Sequence, residues 1–244
     1  HLVQSAHRHL LSQVIPNAAA REIVDRDVAP RFSSSDPLNL IYVDNQLFMS
    51  SSSSSVERVR QSVHSHFTST GLPLHEIETA RPVLTVVGLE LDGVAHVCRV
   101  SQARRWRLRQ AVVGLCRRPV VCGRDVEVVV GHLTFSLLLF RPALSVFSNV
   151  YAFIRSSYLR PRRLWSCVQR ELLCAVHLLP LVQSDWSLPW CPRVMCSDAC
   201  VSGFAVHESE WKASEVREVG EWSDRWRYRW GAGQARSRAL GLFQ

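Results

Sequence analysis

The spacing of apolar positions in the first fifty residues changes from helical to strand-like. Apolar residues recur every four positions over residues 1–15, which predicts a helix that ends at Pro16. Two apolar runs, residues 38–43 and 46–49, then flank the pair Asp44-Asn45. Because Asp and Asn tolerate a positive φ, this pattern predicts a β-hairpin that carries the Asp44 carboxylate at the tip of its turn.

A serine run follows the hairpin and leads into a second helical pattern. Ser54 and Glu57 have the spacing of a capping box, and the apolar residues after them form a helical stripe. Gly71 stands where the C-terminal cap of this helix is expected. The short apolar run Leu84–Leu91 predicts another strand, and Asp92-Gly93 predicts a second hairpin turn.

The segment between Arg99 and Arg124 is dense in arginine and contains no acidic residue. Ser101 can cap this segment, and Trp106 together with nearby Val and Leu residues gives it an apolar side. The segment therefore predicts a basic amphipathic helix. A helix face that is merely solvated usually mixes charges of both signs, whereas this one does not. We therefore favour a face that contacts phosphates.

Beyond this segment the pattern predicts further helices and then changes to short strands. After Pro180, Trp and Pro residues mark an irregular connection, and we place a domain boundary near residues 180–192. Short strands are then predicted over Val194–Asp198 and Phe204–Val206, with a turn at Ser202-Gly203. Three helices are predicted before the boundary, over residues 125–140, 144–157 and 163–179.

The composition adds a strongly basic balance to this pattern. The chain has a net charge of +8 and a sequence pI near 9.4, and only Lys212 among its 29 basic residues is a lysine. Because a guanidinium group pairs bidentately with phosphate, this balance favours a polyanionic partner. A biased base composition of the coding DNA would produce the same excess of arginine, and that alternative stays open.

Neither a signal peptide nor a membrane span is predicted. The longest apolar run, Val126–Phe140, contains polar residues and falls short of the roughly 20 residues that cross a bilayer. The eight cysteines include no CxxC pair, which favours reduced thiols in an intracellular protein that is not secreted. The irregular spacing of Cys191, Cys196 and Cys200 favours buried free thiols over a zinc site.

The order of motifs in this chain resembles that of reverse transcriptases. Tyr42-Val43-Asp44-Asn45 looks like the family's tyrosine-x-Asp-Asp hairpin, which presents carboxylates at the surface of the palm. The resemblance spans residues 38–206 and fits tyrosine-recombinase-type elements at least as well as long-terminal-repeat ones. Gly71–His75 resembles the turn after the family's palm helix, and Val87–Gly93 resembles the primer-gripping strand. The arginine-rich helix, Gly131–Phe135 and the following helical pair resemble the thumb, and Ser197–Gly203 resembles the start of a ribonuclease H-like domain.

The resemblance implies an α+β fold in three parts. Residues 1–97 would form the C-terminal part of a reverse transcriptase palm, and residues 98–180 a helical thumb and connection. Residues 181–244 would be the truncated start of a ribonuclease H-like α/β domain. Because the chain opens on His1 without an initiator Met, we expect a fragment of a retrotransposon polyprotein with further segments upstream and downstream.

The implied activity is that of an RNA-directed DNA polymerase, a nucleotidyltransferase that uses deoxynucleoside triphosphates and an RNA or DNA primer–template duplex. Such transfer uses Mg²⁺ or Mn²⁺, and Mg²⁺ prefers hard carboxylate oxygens. The implied metal ligands are Asp44 and Asn45 in the palm and Asp198 in the ribonuclease H-like part, with Asp44 and Asp198 as catalytic residues. The implied nucleic-acid contacts are Tyr42, Gly88, Leu89, Arg104, Arg105, Arg107 and Arg109.

The sequence departs from the family pattern at Asn45, where a second Asp is usual. The family's other essential palm Asp would lie upstream of His1, so we expect this chain to be inactive alone. Two alternatives stay open. One is a non-catalytic remnant that binds nucleic acid, and the other is a helical scaffold whose apolar stripes bind partner helices. A retroelement enzyme would act in the cytoplasm, the nucleus or both.

Overall fold

The structure is a computed structural model that describes residues 2–24, 28, 30–72, 74–221, 228–231 and 234–237. The contacts of the chain divide it into two compact units. The first unit combines His1–Arg81 with Pro189–Gln244, and the second unit is Pro82–Leu188. Both units contain helices and antiparallel strands, so the predicted mixture of α and β structure is confirmed.

The first unit begins with two helices that pack beside one hairpin. Helix α1 (Leu2–Val14) and helix α2 (Ser53–Ser69) flank strands β1 (Leu38–Tyr42) and β2 (Asn45–Met49), which pair antiparallel. The predicted first helix and hairpin are thereby confirmed. Apolar side chains from all of these elements share one small core, whose buried members are Leu10, Leu11, Ala18, Ile41, Val63 and Phe67.

Helix α2 has a serine cap at its N-terminus and a glycine at its C-terminus, but the capping serine differs from the predicted one. The side chain of Ser52, not of Ser54, accepts a hydrogen bond from the Ser55 backbone N–H. Glu57 is drawn instead to the guanidinium of Arg60, with which it shares two hydrogen bonds, and it therefore closes no capping box. At the other end Gly71 adopts a φ of +79°, as expected for a helix C-terminus.

The second unit contains a four-stranded antiparallel sheet that follows chain order. The predicted strand Leu84–Leu91 is wrong in one respect, because a tight turn at Val87-Gly88 divides it into two strands. Both turn residues have positive φ, which is the pattern of a type I′ hairpin. The four strands are β3 (Val83–Val86), β4 (Leu89–Asp92), β5 (Val97–Val100) and β6 (Gln183–Asp185).

Four helices complete the second unit and form the larger core of the protein. The predicted helices of this region are confirmed, with ends that differ by a few residues. Their buried side chains include Leu108, Val112, Val126, Leu133 and Phe153. The four helices are α3 (Gln102–Arg117), α4 (Gly123–Leu137), α5 (Asn149–Ser156) and α6 (Ser166–Leu178).

Helix α4 continues into 3₁₀ turns over Leu138–Val146. Within the described residues, Gly123–Val146 is the one helical stretch that is long and apolar enough to cross a membrane by length and composition. Phe140 has non-helical backbone angles and Pro142 lies inside the stretch, so its geometry is broken there. One side of α4 is buried in the core of the second unit.

The remaining elements belong to the first unit and follow Pro189. Strands β7 (Arg193–Cys200) and β8 (Gly203–Glu210) form a long hairpin whose turn is Val201-Ser202, one residue before the predicted Ser202-Gly203. Nearly every residue of this hairpin is exposed. Three short elements follow: α7 (Ala213–Gly220), β9 (Tyr228–Gly231) and β10 (Gln234–Ser237).

The exposed β7–β8 hairpin overturns the expectation of buried thiols near the C-terminal end. Cys191, Cys196 and Cys200 are free and exposed, because the described residues place no layer over either face of this hairpin. The palm, thumb and ribonuclease H-like division stays a prediction. Its boundary between residues 97 and 98 falls inside β5, whereas the contacts group β5 with the helices that follow it.

The start of α4 provides a sharp test of this packing. A Cβ on Gly123 would lie 2.5 Å from the Ile154 carbonyl oxygen, whereas a Cβ on Gly131 would meet nothing within 4 Å. We expect Gly123→Ala to lower the free energy of unfolding by about 1–3 kcal/mol through overpacking. Gly131→Ala, in the same helix, should raise it by up to about 1 kcal/mol. Urea unfolding followed by circular dichroism measures both changes, and equal effects would contradict this packing.

Candidate carboxylate hairpin and nucleic-acid interface

The tip of the β1–β2 hairpin carries the Asp44 carboxylate, as predicted, but the turn lies one residue earlier than expected. Tyr42 pairs with Asn45, so the two turn residues are Val43 and Asp44. Val43 has a φ of +58°, whereas Asp44 is not in the positive region. A positive φ at the first turn residue alone is typical of a type II′ turn. For a β-branched residue this conformation is strained, and such strain is concentrated at functional sites.

The side chains at this tip are open to solvent. Asp44, Asn45 and Tyr42 are all exposed, while Ile41 on the opposite side of β1 is buried in the core. The Asn45 amide donates a hydrogen bond to the Asp44 carboxylate at 3.5 Å. The buried side of the hairpin therefore anchors the turn, and the carboxylate stands free above it.

Two polar side chains lie on the inner side of this hairpin. The Nδ1 atom of His7 and the Nε2 atom of Gln46 are buried and have no hydrogen-bond partner among the described residues. His7 also contacts the ring of Phe67 edge-on at 5.5 Å. Burial lowers the pKa of His7, and the negative charge of Asp44 opposes that change. The sequence analysis missed this histidine because α1 and the hairpin are separated by more than twenty residues.

The donor set at the turn does not make a magnesium site by itself. Asp44 supplies one carboxylate and Asn45 one amide oxygen, whereas Mg²⁺ in nucleotidyl transfer is held by several hard oxygens. In the part of the chain that the structure describes, no group of three His, Cys, Asp or Glu side chains has metal-binding geometry. The inner nitrogens of His7 and Gln46 are not the oxygen ligands that Mg²⁺ prefers. No metal-dependent step therefore follows from these residues alone.

Asp198 lies in the middle of β7, where it pairs with Ala205 on β8. Its carboxylate is exposed and accepts a hydrogen bond from the Ala199 backbone N–H at 2.9 Å. The same absence of metal-binding groups among the described residues applies here. The structure thus places Asp198 on an open strand, as the sequence predicted.

In the second unit, Arg104 is the most constrained of the predicted phosphate contacts. Its guanidinium lies 4.5 Å above the Phe135 ring, and its Nε donates to the Ser136 hydroxyl at 3.4 Å. The hairpin turn before β4 packs against it so closely that a Cβ on Gly88 would lie 2.8 Å from its Nη1 atom. Burial and the neighbouring charge of Arg107 lower the pKa of Arg104. Leu89 follows this turn and packs against the core.

The other arginines of α3 are more open. Arg107 and Arg109 are exposed, and Arg105 is half-exposed. Among the described residues none of these three arginines, nor Arg104, forms an ion pair with a carboxylate. Arg99 in β5 provides the contrast, because it pairs with both Glu90 and Asp92 on the neighbouring strand. Positive charge is therefore balanced on the sheet and left unbalanced on the helix.

The sequence analysis assigned Trp106 wrongly to the apolar side of this helix. The indole is 53% exposed, while the buried side consists of Leu108, Val112 and Leu115. Residues two apart on a helix point in nearly opposite directions, so Trp106 cannot share a face with Leu108. This phase difference was readable in the sequence and would have identified an exposed tryptophan among arginines.

No protein-family model matches the chain, and no curated protein matches it. The resemblance to reverse transcriptases therefore depends on the residues described above.

The strain at Val43 predicts a gain in stability on substitution by glycine. Glycine adopts a positive φ without steric cost, and the Val43 side chain is half-exposed and contributes little burial. We expect Val43→Gly to raise the free energy of unfolding of the first unit by about 1 kcal/mol in urea titrations. Val94→Gly, an exposed valine outside the positive-φ region, should lower stability or leave it unchanged. Equal effects of the two changes would argue against a strained turn.

Proposed function

We propose that this protein binds the phosphate backbone of nucleic acid through the arginine-rich face of α3. The observation that carries the proposal is the unbalanced charge of this helix, which contains five arginines and no acidic residue. Like charges on one helix repel each other, and a polyanion that lies along the face removes this repulsion. A basic surface of this kind contacts the backbone and shape of a duplex, and it does not need to recognise sequence.

The packing of Arg104 supports the same partner. Its guanidinium is held between Phe135 and the Gly88 turn, so its position is set before a ligand arrives. Because the charge of Arg107 disfavours the charge on Arg104, an anion placed near both would relieve this repulsion and contact one cation, Arg104, that is already held in place. Phosphate oxygens have the charge and geometry for such a bidentate contact. We propose an RNA or DNA primer–template duplex as the partner, in keeping with the resemblance to a polymerase thumb.

Removal of the exposed arginines tests the proposal directly. We expect the triple variant Arg105→Ala, Arg107→Ala, Arg109→Ala to bind a primer–template duplex on the order of a hundred-fold more weakly at moderate salt. The slope of log affinity against log salt should fall by roughly two to three, because fewer counterions are released. Fluorescence anisotropy with a labelled duplex measures both quantities.

The matched control is Arg170→Ala, which removes an exposed arginine of α6 in the same unit. Arg170→Ala should weaken duplex binding only slightly, because it removes one positive charge that lies outside α3. If wild-type affinity does not respond to salt, or if the triple variant binds as tightly as wild type, the phosphate-binding role of α3 is wrong. Binding of apolar partner helices without nucleic-acid binding would favour the scaffold alternative.

A second candidate function is nucleotidyl transfer by the longer polymerase of which this chain would be part. The observation that favours it is the strained turn that raises a free carboxylate at Asp44 above a buried hairpin. We propose that Asp44 supplies one Mg²⁺ or Mn²⁺ ligand, and that another segment of the longer polymerase's palm supplies the remaining carboxylates. Asn45 would add at most one amide oxygen, and deoxynucleoside triphosphates would be the substrates.

A chimera that joins this chain to the upstream palm half of a retroelement polymerase tests this candidate. We expect the chain alone to extend no primer and the chimera to extend one with Mg²⁺ or Mn²⁺. Relative to the unsubstituted chimera, Asp44→Ala should reduce primer extension more than about a hundred-fold, because loss of a metal ligand removes transition-state stabilisation. Ser51→Ala, an exposed change beyond the hairpin, is the control. Extension that survives Asp44→Ala would remove Asp44 from the metal site.

A further inference from the structure

Trp106 occupies an unusual place on α3. The buried side of the helix consists of Leu108, Val112 and Leu115, and Trp106 lies on the opposite side with its indole more than half exposed. Single exposed apolar side chains are common on protein surfaces, so exposure alone does not argue for a ligand. Trp106 differs because its exposed ring lies among the arginines of a helix that contains no acidic residue.

The surroundings of the indole define the chemistry of that ligand. The guanidinium of Arg109 lies 5.6 Å from the ring centroid, in the range of a cation–π contact. Arg105 precedes Trp106 in the chain and Arg107 follows it. One and two turns further on, the face carries Gln110 and Gly114, and a Cβ on that glycine would meet nothing within 4 Å. The indole is therefore exposed on a cationic helix that itself carries no carboxylate.

We propose that Trp106 and Arg109 form a stacking platform for an unpaired base, so that the second unit binds single-stranded nucleic acid or the unpaired end of a duplex. This inference rests on the proposed phosphate-binding function of α3 and adds a substrate class to it. An indole offers a flat π-surface on which any base stacks, and the neighbouring guanidiniums hold the flanking phosphates. Because the base pairs of an intact duplex are already stacked on each other, they cannot use this surface.

Two other occupants fit these observations less well. A helix that lies on an anionic membrane presents several large apolar side chains, whereas the Trp106 face of α3 adds only the half-buried Val113. An acidic peptide would be bound by the arginines alone and would leave the exposed indole without a partner. Unpaired bases linked by phosphates use both features of the surface.

Three probes of equal length, about 20 units long, separate base stacking from phosphate binding. They are a single-stranded oligothymidylate, the same backbone with abasic sites, and a blunt duplex. We expect Trp106→Ala to weaken binding of the oligothymidylate about ten-fold and to change binding of the other two probes less than two-fold. Trp106→Phe, which keeps an aromatic surface, should restore most of the lost affinity.

The matched control is Trp186→Ala, which removes another exposed tryptophan of the same unit that lies outside α3 and next to Asp185. It should leave all three affinities unchanged. If Trp106→Ala binds the oligothymidylate like wild type while the arginine variants still lose affinity, the platform is wrong and the phosphate-binding proposal stands. If wild type binds none of the probes, both are wrong. If Trp106→Ala instead weakens binding to phosphatidylserine vesicles alone, the face is a membrane contact and the platform is overturned.

Discussion

The arginine-rich helix α3 is stable in this protein because one narrow apolar stripe is buried. Leu108, Val112 and Leu115 of α3 are almost fully enclosed by the core of the second unit. The burial of three such side chains contributes several kcal/mol, on the order of 1.5–3 kcal/mol each. This is enough to hold a run of like charges together, whose mutual repulsion in water is weak and screened by salt. The basic surface therefore depends on the apolar core beneath it.

In the first unit, buried apolar packing likewise holds an unfavourable feature in place, which here is a strained turn at the tip of the β1–β2 hairpin. Ile41 and Phe48 pack against the two helices, and this packing holds a turn in which Val43 has a conformation that valine rarely adopts. A glycine at this position would remove the strain without loss of a buried contact. Strain that a simple substitution would relieve indicates a constraint other than stability, and the exposed carboxylate of Asp44 is the feature that the turn displays.

Local signals in the sequence predicted the elements well and their exact edges poorly. The four-residue apolar spacing of α1, the hairpin and the Ser101 cap of α3 are each encoded by adjacent residues, and all were predicted correctly. The turn at Val43 escaped prediction because strand pairing, not turn propensity, sets its register. The turn at Val87-Gly88 was missed because Val87 continues the apolar run of the strand, so that Gly88 alone did not indicate a turn. The exposure of the thiols on β7 and β8 depends on which layers cover that hairpin, and no local pattern contains this information.

Binding of a nucleic-acid backbone and nucleotidyl transfer make different demands on a protein. A phosphate backbone is held by many separate cations, so the loss of one or two leaves most of the affinity intact. Nucleotidyl transfer needs several carboxylates within a few ångströms, and the loss of one removes most of the rate. Among the described residues, α3 carries an unbalanced run of arginines, whereas no group of three metal-ligating side chains includes Asp44 or Asp198. The unbalanced charge of α3 therefore supports the proposed nucleic-acid binding more directly than Asp44 and Asp198 support the proposed transfer chemistry.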